Sequence, residues 1–132
     1  MLHDASDSKE KISQLQGECA TWLAVLNLLK EESNLLKTKL SETLDNNTEK
    51  EIVAQAETFN NLIIERDEYI KDITADVKAQ EKKLKESQAK NLVDKQRVKQ
   101  QQKLRNEIAF LEKDFAGMRE NFYRKFLKNT AP

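Results

Sequence analysis

Apolar residues at Ile12, Leu15, Cys19, Trp22, Leu26, Leu29, Leu36 and Leu40 recur at alternating steps of three and four, with Ser33 filling the remaining place in the series. That spacing lines up one stripe of an α-helix and excludes a strand, whose side chains alternate every two residues. A heptad seam of this length is buried only against other helices, so it constrains the fold more than any other feature of the chain. Leu23 and Leu44 widen the stripe on one side and Val25 on the other. A helix that contacts two neighbours needs that extra width.

Two further stripes supply the neighbours. Ile52, Ala56, Phe59, Ile63, Ile70, Ile73 and Val77 form the second, with Arg66 in the same series. An arginine there lays its stem along the core and sends its head to solvent. Leu104, Ile108, Leu111, Phe115, Met118 and Phe122 form the third, with Phe126 nearby. The whole chain has only Gly 2 and Pro 1, too little turn chemistry for a sheet.

The clearest break is Asp45-Asn46-Asn47-Thr48. Asparagine tolerates the left-handed conformation that ends a helix, and Thr48 with Glu51 makes a capping box for the next. Asp7 or Ser8, with Glu10, is the expected start of the first helix. From 78 to 103 the apolar pattern thins to Leu84, Leu92, Val93 and Val98. The second break is placed at 87–91, with Asn91 capping the third helix and Asp94 in its first turn. Helices are thus expected over 8–45, 49–87 and 92–128.

These readings predict one all-α domain over 1–132, an antiparallel up-down-up three-helix bundle of long, coiled-coil-like helices. The rival is a continuous helix from Thr48 to Lys128, about 120 Å long at 1.5 Å per residue, which needs other chains to cover its stripe. The bundle is preferred because it puts the apolar-poor segments 1–20 and 78–103 at one end. The rich segments 21–44, 52–77 and 104–127 then lie side by side. In count of helices and in a tryptophan on the first, this resembles a spectrin-type repeat, in architecture alone.

Lys+Arg and Asp+Glu each number 23, so no global field recruits nucleic acid or an anionic surface. The charge is polarised along the chain: 42–76 holds ten acidic and three basic residues, 78–105 ten basic and three acidic. The apolar runs are too short to span a bilayer and 1–10 is too polar for a signal peptide, so no membrane association and a cytoplasmic location are expected. One histidine, His3, and one cysteine, Cys19, leave no metal-ligand spacing and no internal disulfide. Asp45, Asn47, Glu49 and Glu51 loosely follow a calcium loop, but Lys50 stands where its glycine belongs and Ala56 where its bidentate glutamate belongs. No catalytic residue and no cofactor are assigned. Cys19, on the seam with no base beside it, reads as a small buried hydrophobe.

Two surfaces remain as candidates. Leu28 and Leu35 repeat at a heptad position away from the first seam, and Phe110 takes the equivalent off-seam place on the third helix. They mark a candidate partner interface, either a homodimer face or a groove for another helix. The alternative is a phosphate-binding tip over 78–105, with Lys82, Lys83, Lys85, Lys95, Arg97 and Lys99 as contacts. No aromatic residues are interleaved there, so stacking on bases is not supported. The function expected from sequence is non-enzymatic: a structural or adaptor module acting through helix-to-helix contacts, self-association included, with nucleic-acid binding as the less favoured reading.

Overall fold

A computed structural model describes residues 5–127, with the side chains of 8–126. Among the described residues the chain forms α1 (Ala5–Asp45), α2 (Lys50–Lys90) and α3 (Lys95–Phe122), closed by a π-helical turn at Tyr123–Leu127. There is no strand among them. The fold is an all-α three-helix bundle in which every pair of helices packs.

Helix ends differ from expectation for local reasons. α1 begins at Ala5, so Asp7 and Ser8 lie inside it and neither is its N-cap. His3 and the expected end of the third helix at Lys128 fall outside the described residues. α2 starts at Lys50, with the Val53 amide donating to the Glu49 carbonyl, which makes Glu49 the N-cap in place of Thr48. Asn91 was expected to open the third helix; instead it ends the second. It has φ 56°, the one positive φ among described non-glycine residues, so the left-handed conformation anticipated at Asn46-Asn47 occurs here. The Leu92 amide donates to the Ser87 carbonyl at 3.1 Å and the Asn91 amide to that of Gln88 at 3.2 Å. This is a Schellman closure with Asn91 in the left-handed place that asparagine tolerates. Asp94 is the N-cap of α3, its Oδ1 accepting from the Arg97 amide at 2.9 Å.

The chain divides into two compact units, and each takes a stretch of all three helices. The first comprises Met1–Leu26 and Lys71–Ala109. Its described core holds Ile12, Leu15, Cys19, Trp22 and Leu26 of α1, Ile73, Val77 and Leu84 of α2, and Leu104 and Ile108 of α3. Leu15 and Glu18 meet Gln101 and Arg105, so α1 and α3 run parallel here. Gln80 reaches Arg97 and Gln101 across the turn at 91–94, so α2 runs antiparallel to both.

The second unit comprises Asn27–Ile70 and Phe110–Pro132. Leu29, Leu36 and Leu40 pack there with Ala56, Phe59, Ile63 and Ile70, and with Leu111, Phe115, Met118, Phe122 and Phe126. Ser33 completes the seam, fully buried, its hydroxyl donating to Asp67 Oδ1 at 2.5 Å while Lys37 pairs with the other carboxylate oxygen. Arg66, half-buried, sends its head to a carboxylate at the rim of the core: Nε and Nη2 grip Asp114 at 2.5 and 3.2 Å. Phe126 follows Phe122 by four residues where the alternation calls for three. The wider π turn at Tyr123–Leu127 rotates it back to the core.

Gly17 lies inside α1, where a glycine marks either a close helix approach or a weakened turn. A Cβ built on Gly17, or on Gly117 of α3, meets nothing within 4 Å. Neither glycine has a positive φ, so both simply weaken their helices. Gly17→Ala and Gly117→Ala should each stabilise the fold by about 0.5–1 kcal/mol, read as a raised urea midpoint with an unchanged m-value.

Candidate functional site

The exposed apolar residues singled out from the sequence all lie in the second unit: Leu28 is 59 % exposed, Leu35 51 % and Phe110 63 %. They do not share a face. Glu32 of α1 pairs with Arg119 of α3 at 2.6 Å, marking the edge where these two helices meet. Leu28 and Leu35 stand four residues before and three after Glu32, so they flank the α1/α3 edge on its outer side. Phe110 stands four residues before Asp114, the partner of Arg66, and so flanks the α2/α3 edge. The interface read as three residues is therefore a pair on α1 and a separate phenylalanine.

Around the leucine pair charges of both signs occur: Lys30, Glu31 and Glu42 are exposed, while Glu32, Lys37 and Lys39 are half-exposed and engaged by Arg119, Asp67 and Tyr123. From Asn27 to Ser41 the exposed residues are Asn27, Leu28, Lys30, Glu31, Asn34, Leu35, Thr38 and Ser41, of which only Lys30 and Glu31 are charged. Asn27 ties down Glu31, donating to its Oε1 at 3.4 Å. Glu42 is exposed one heptad beyond Leu35.

The basic candidates lie in the first unit. Lys82, Lys83, Lys85, Lys95 and Lys99 are exposed, and Lys95, Lys99 and Lys103 line a shallow depression with Gln96 and Gln100. Arg97 is a correction. It is 8 % exposed, and its Nη1 donates to Gln80 Oε1 at 2.5 Å, so its guanidinium is a core group and cannot meet a phosphate.

The sequence reading missed the network to which Arg97 belongs. Gln80 Nε2 donates to the Arg97 carbonyl and to Gln101 Oε1, both at 2.9 Å. Gln101 Nε2 donates in turn to the Leu15 carbonyl at 3.1 Å and to Glu18 Oε1 at 2.9 Å. Buried amides need such partners, since an unpaired one costs the full desolvation of its polar atoms. The signal was present: stepping on from Val77 by three, four and three reaches Gln80, Leu84 and Ser87, and stepping back from Leu104 by three and four reaches Gln101 and Arg97. All of these are buried.

At the rim of this network Arg105 grips Glu18 with two bonds, of 2.7 and 2.6 Å. The Arg105 guanidinium holds the Glu18 carboxyl below its usual range, against an opposing push from burial. A depressed carboxyl contributes stability that is present at neutral pH and lost as the pH falls through the folded-state pKa. Burial pushes the Cys19 thiol up to about 11, so near neutral pH it is protonated and a poor nucleophile. Its Sγ faces Gln101 Oε1 at 3.8 Å.

Among the described residues no group of three His, Cys, Asp or Glu is placed to hold a metal ion, and no helix is long and apolar enough to cross a membrane. Comparison with known protein families, curated proteins and solved structures finds no match.

Proposed function

We propose that the chain is a non-enzymatic structural or adaptor module that works through helix-to-helix contacts with protein chains, further copies of itself included. The observation that carries this reading is the pair Leu28 and Leu35, more than half exposed and one heptad apart on α1, away from the seam that holds the bundle together. A heptad-spaced leucine pair left uncovered on a helix is the pattern by which one helix anchors on another. Fully covering a leucine stabilises by about 1.5–3 kcal/mol. The pair therefore supplies the anchor of a contact whose remaining area comes from the polar residues around it.

Sedimentation equilibrium tests the self-associating form. Wild type should show a mass above that of the monomer, and Leu28→Glu with Leu35→Glu should return it to the monomer. Its helical circular dichroism should not change, because neither side chain belongs to the core. A wild type that stays monomeric at high concentration removes self-association from the proposal.

A further inference from the structure

Over 78–105 the chain sets ten basic residues against three acidic ones, all within the first unit. Arg97 is buried and Arg105 is held by Glu18, which leaves eight lysines, every one exposed. Lys103 alone is ion-paired, to Glu107 at 3.8 Å; among the described residues none of the other seven has an ion-pair partner. Of the three carboxylates in the stretch, Asp94 is engaged as the N-cap of α3 and Glu81 is half-buried, which leaves Glu86. Lys95, Lys99 and Lys103 stack on one side of α3 at steps of four residues, about 6 Å apart along the axis. Gln96 and Gln100 stand between them and line the same shallow depression. Folding does not account for this row. Like charges at a spacing of four weaken a helix, and Lys95 lies in the first turn of α3, where the helix dipole favours an anion and no acidic residue is present. Lys90, in the last turn of α2, is by contrast where the dipole favours a cation.

We infer that the side of α3 formed by Lys95, Lys99 and Lys103 binds the phosphate backbone of a nucleic-acid strand. An anion laid along the row relieves both the repulsion between its lysines and the mismatch with the helix dipole. The even step of the row suits a polymer whose charges recur evenly, as phosphates do along a strand and carboxylates along an acidic peptide do not. The amides of Gln96 and Gln100 add donors that phosphate oxygens accept. A lipid surface fits less well, because a membrane-bound helix buries an apolar face beside its charges. The row has none: Val98 is turned to the α1/α3 edge, one heptad before Arg105 and its partner Glu18, and Leu92 stands alone in the turn before the helix. No aromatic residue occurs between 78 and 109, so bases have nothing to stack on. Binding therefore reads phosphates alone and is independent of sequence. The row is also separate from Leu28 and Leu35, which belong to the second unit.

Fluorescence anisotropy of labelled oligonucleotides, with the full chain at low salt, tests this. Duplexes of unrelated sequence should bind equally well, and log K should fall against log salt with a slope of about −3 or steeper, since each contacted phosphate releases counterions. Lys95→Gln with Lys99→Gln and Lys103→Gln should weaken binding at least about tenfold and flatten the slope by about one for each lysine removed. These side chains are exposed, and circular dichroism melting should show the variant folded and no less stable than wild type, because the repulsion along the row is gone. Lys30→Gln with Lys50→Gln and Lys113→Gln changes the net charge equally at three exposed lysines of the second unit. It should weaken binding by less than about threefold, because charges remote from the site are screened. A chain that binds no oligonucleotide at low salt overturns the inference, and so does an equal loss in the two variants. Binding to phosphatidylserine vesicles by a chain that ignores oligonucleotides overturns it as well and assigns the row to lipid headgroups. A strong preference for one base sequence is equally fatal, since a row of lysines and glutamines aimed at phosphates has no means to produce it.

Discussion

Gln80→Leu lowers the stability of the protein by about 2–3 kcal/mol, and adding Arg97→Met to it restores wild-type stability or exceeds it. The single change removes the amide oxygen that accepts from Arg97 Nη1 and leaves a nearly buried guanidinium with Asp94 as its nearest carboxylate, at 3.9 Å. Hydrogen bonds to charged groups are worth more than neutral ones, so the loss exceeds that for an ordinary buried amide. The double change removes the charge as well. Gln101 keeps its bonds to the Leu15 carbonyl and to Glu18, and two apolar side chains fill the layer. Urea denaturation of both single variants and the double variant checks this: the effects should be strongly non-additive, with the double variant the more stable partner of the cycle. If Gln80→Leu is neutral, the guanidinium is solvated and the layer is not a buried one. A slip of α3 along α2 by one heptad would carry Arg97 and Gln101 away from Gln80 and leave the guanidinium without its acceptor.

Phe122→Ala is expected to cost about 3–5 kcal/mol. Phe122 is wholly buried in the second unit and meets Phe59, Tyr123 and Phe126 with ring centroids at 5.8, 5.9 and 5.2 Å. Phe59 and Phe126 also meet each other edge to face at 5.3 Å, so all three phenylalanines lose contacts together. Removing the ring opens a cavity between rigid neighbours on α2 and the π turn, and rigid walls do not collapse to fill it. Phe110→Ala on the same helix should change stability by less than about 0.5 kcal/mol, because that ring is mostly in water. Comparing the two by thermal and urea unfolding separates core from surface phenylalanines.

The seams were legible in detail. Every residue of the first, from Ile12 to Leu40, is buried, Ser33 included, and so are Leu104 through Phe122 at the expected steps. Such spacing depends only on the pitch of a helix, which each segment carries by itself. Where the apolar pattern thins, polar residues look solvated from the sequence. Gln80, Ser87, Arg97 and Gln101 in fact continue the seams. An amide or guanidinium is buried only when a partner on another helix satisfies it, and one segment does not reveal that partner. The same limit explains Arg97 among the candidate phosphate contacts and the grouping of Phe110 with the leucines.

What the sequence alone determined, then, is the apolar stripes and the exposure of Leu28, Leu35 and five of the six basic candidates, while the separation of α2 from α3 was left against a continuous-helix rival until the structure showed the turn at 91–94. Pitch and local chemistry suffice for these. The tertiary structure decided the rest: that Asn91 ends α2 in a left-handed turn, that Gln80, Arg97 and Gln101 are core, and that the leucine pair lies on the α1/α3 edge while Phe110 lies on the α2/α3 edge. The physical reason is that burial of a polar group, and the direction of an off-seam side chain, depend on how each helix is rotated against its neighbours. That rotation is set by packing across the bundle.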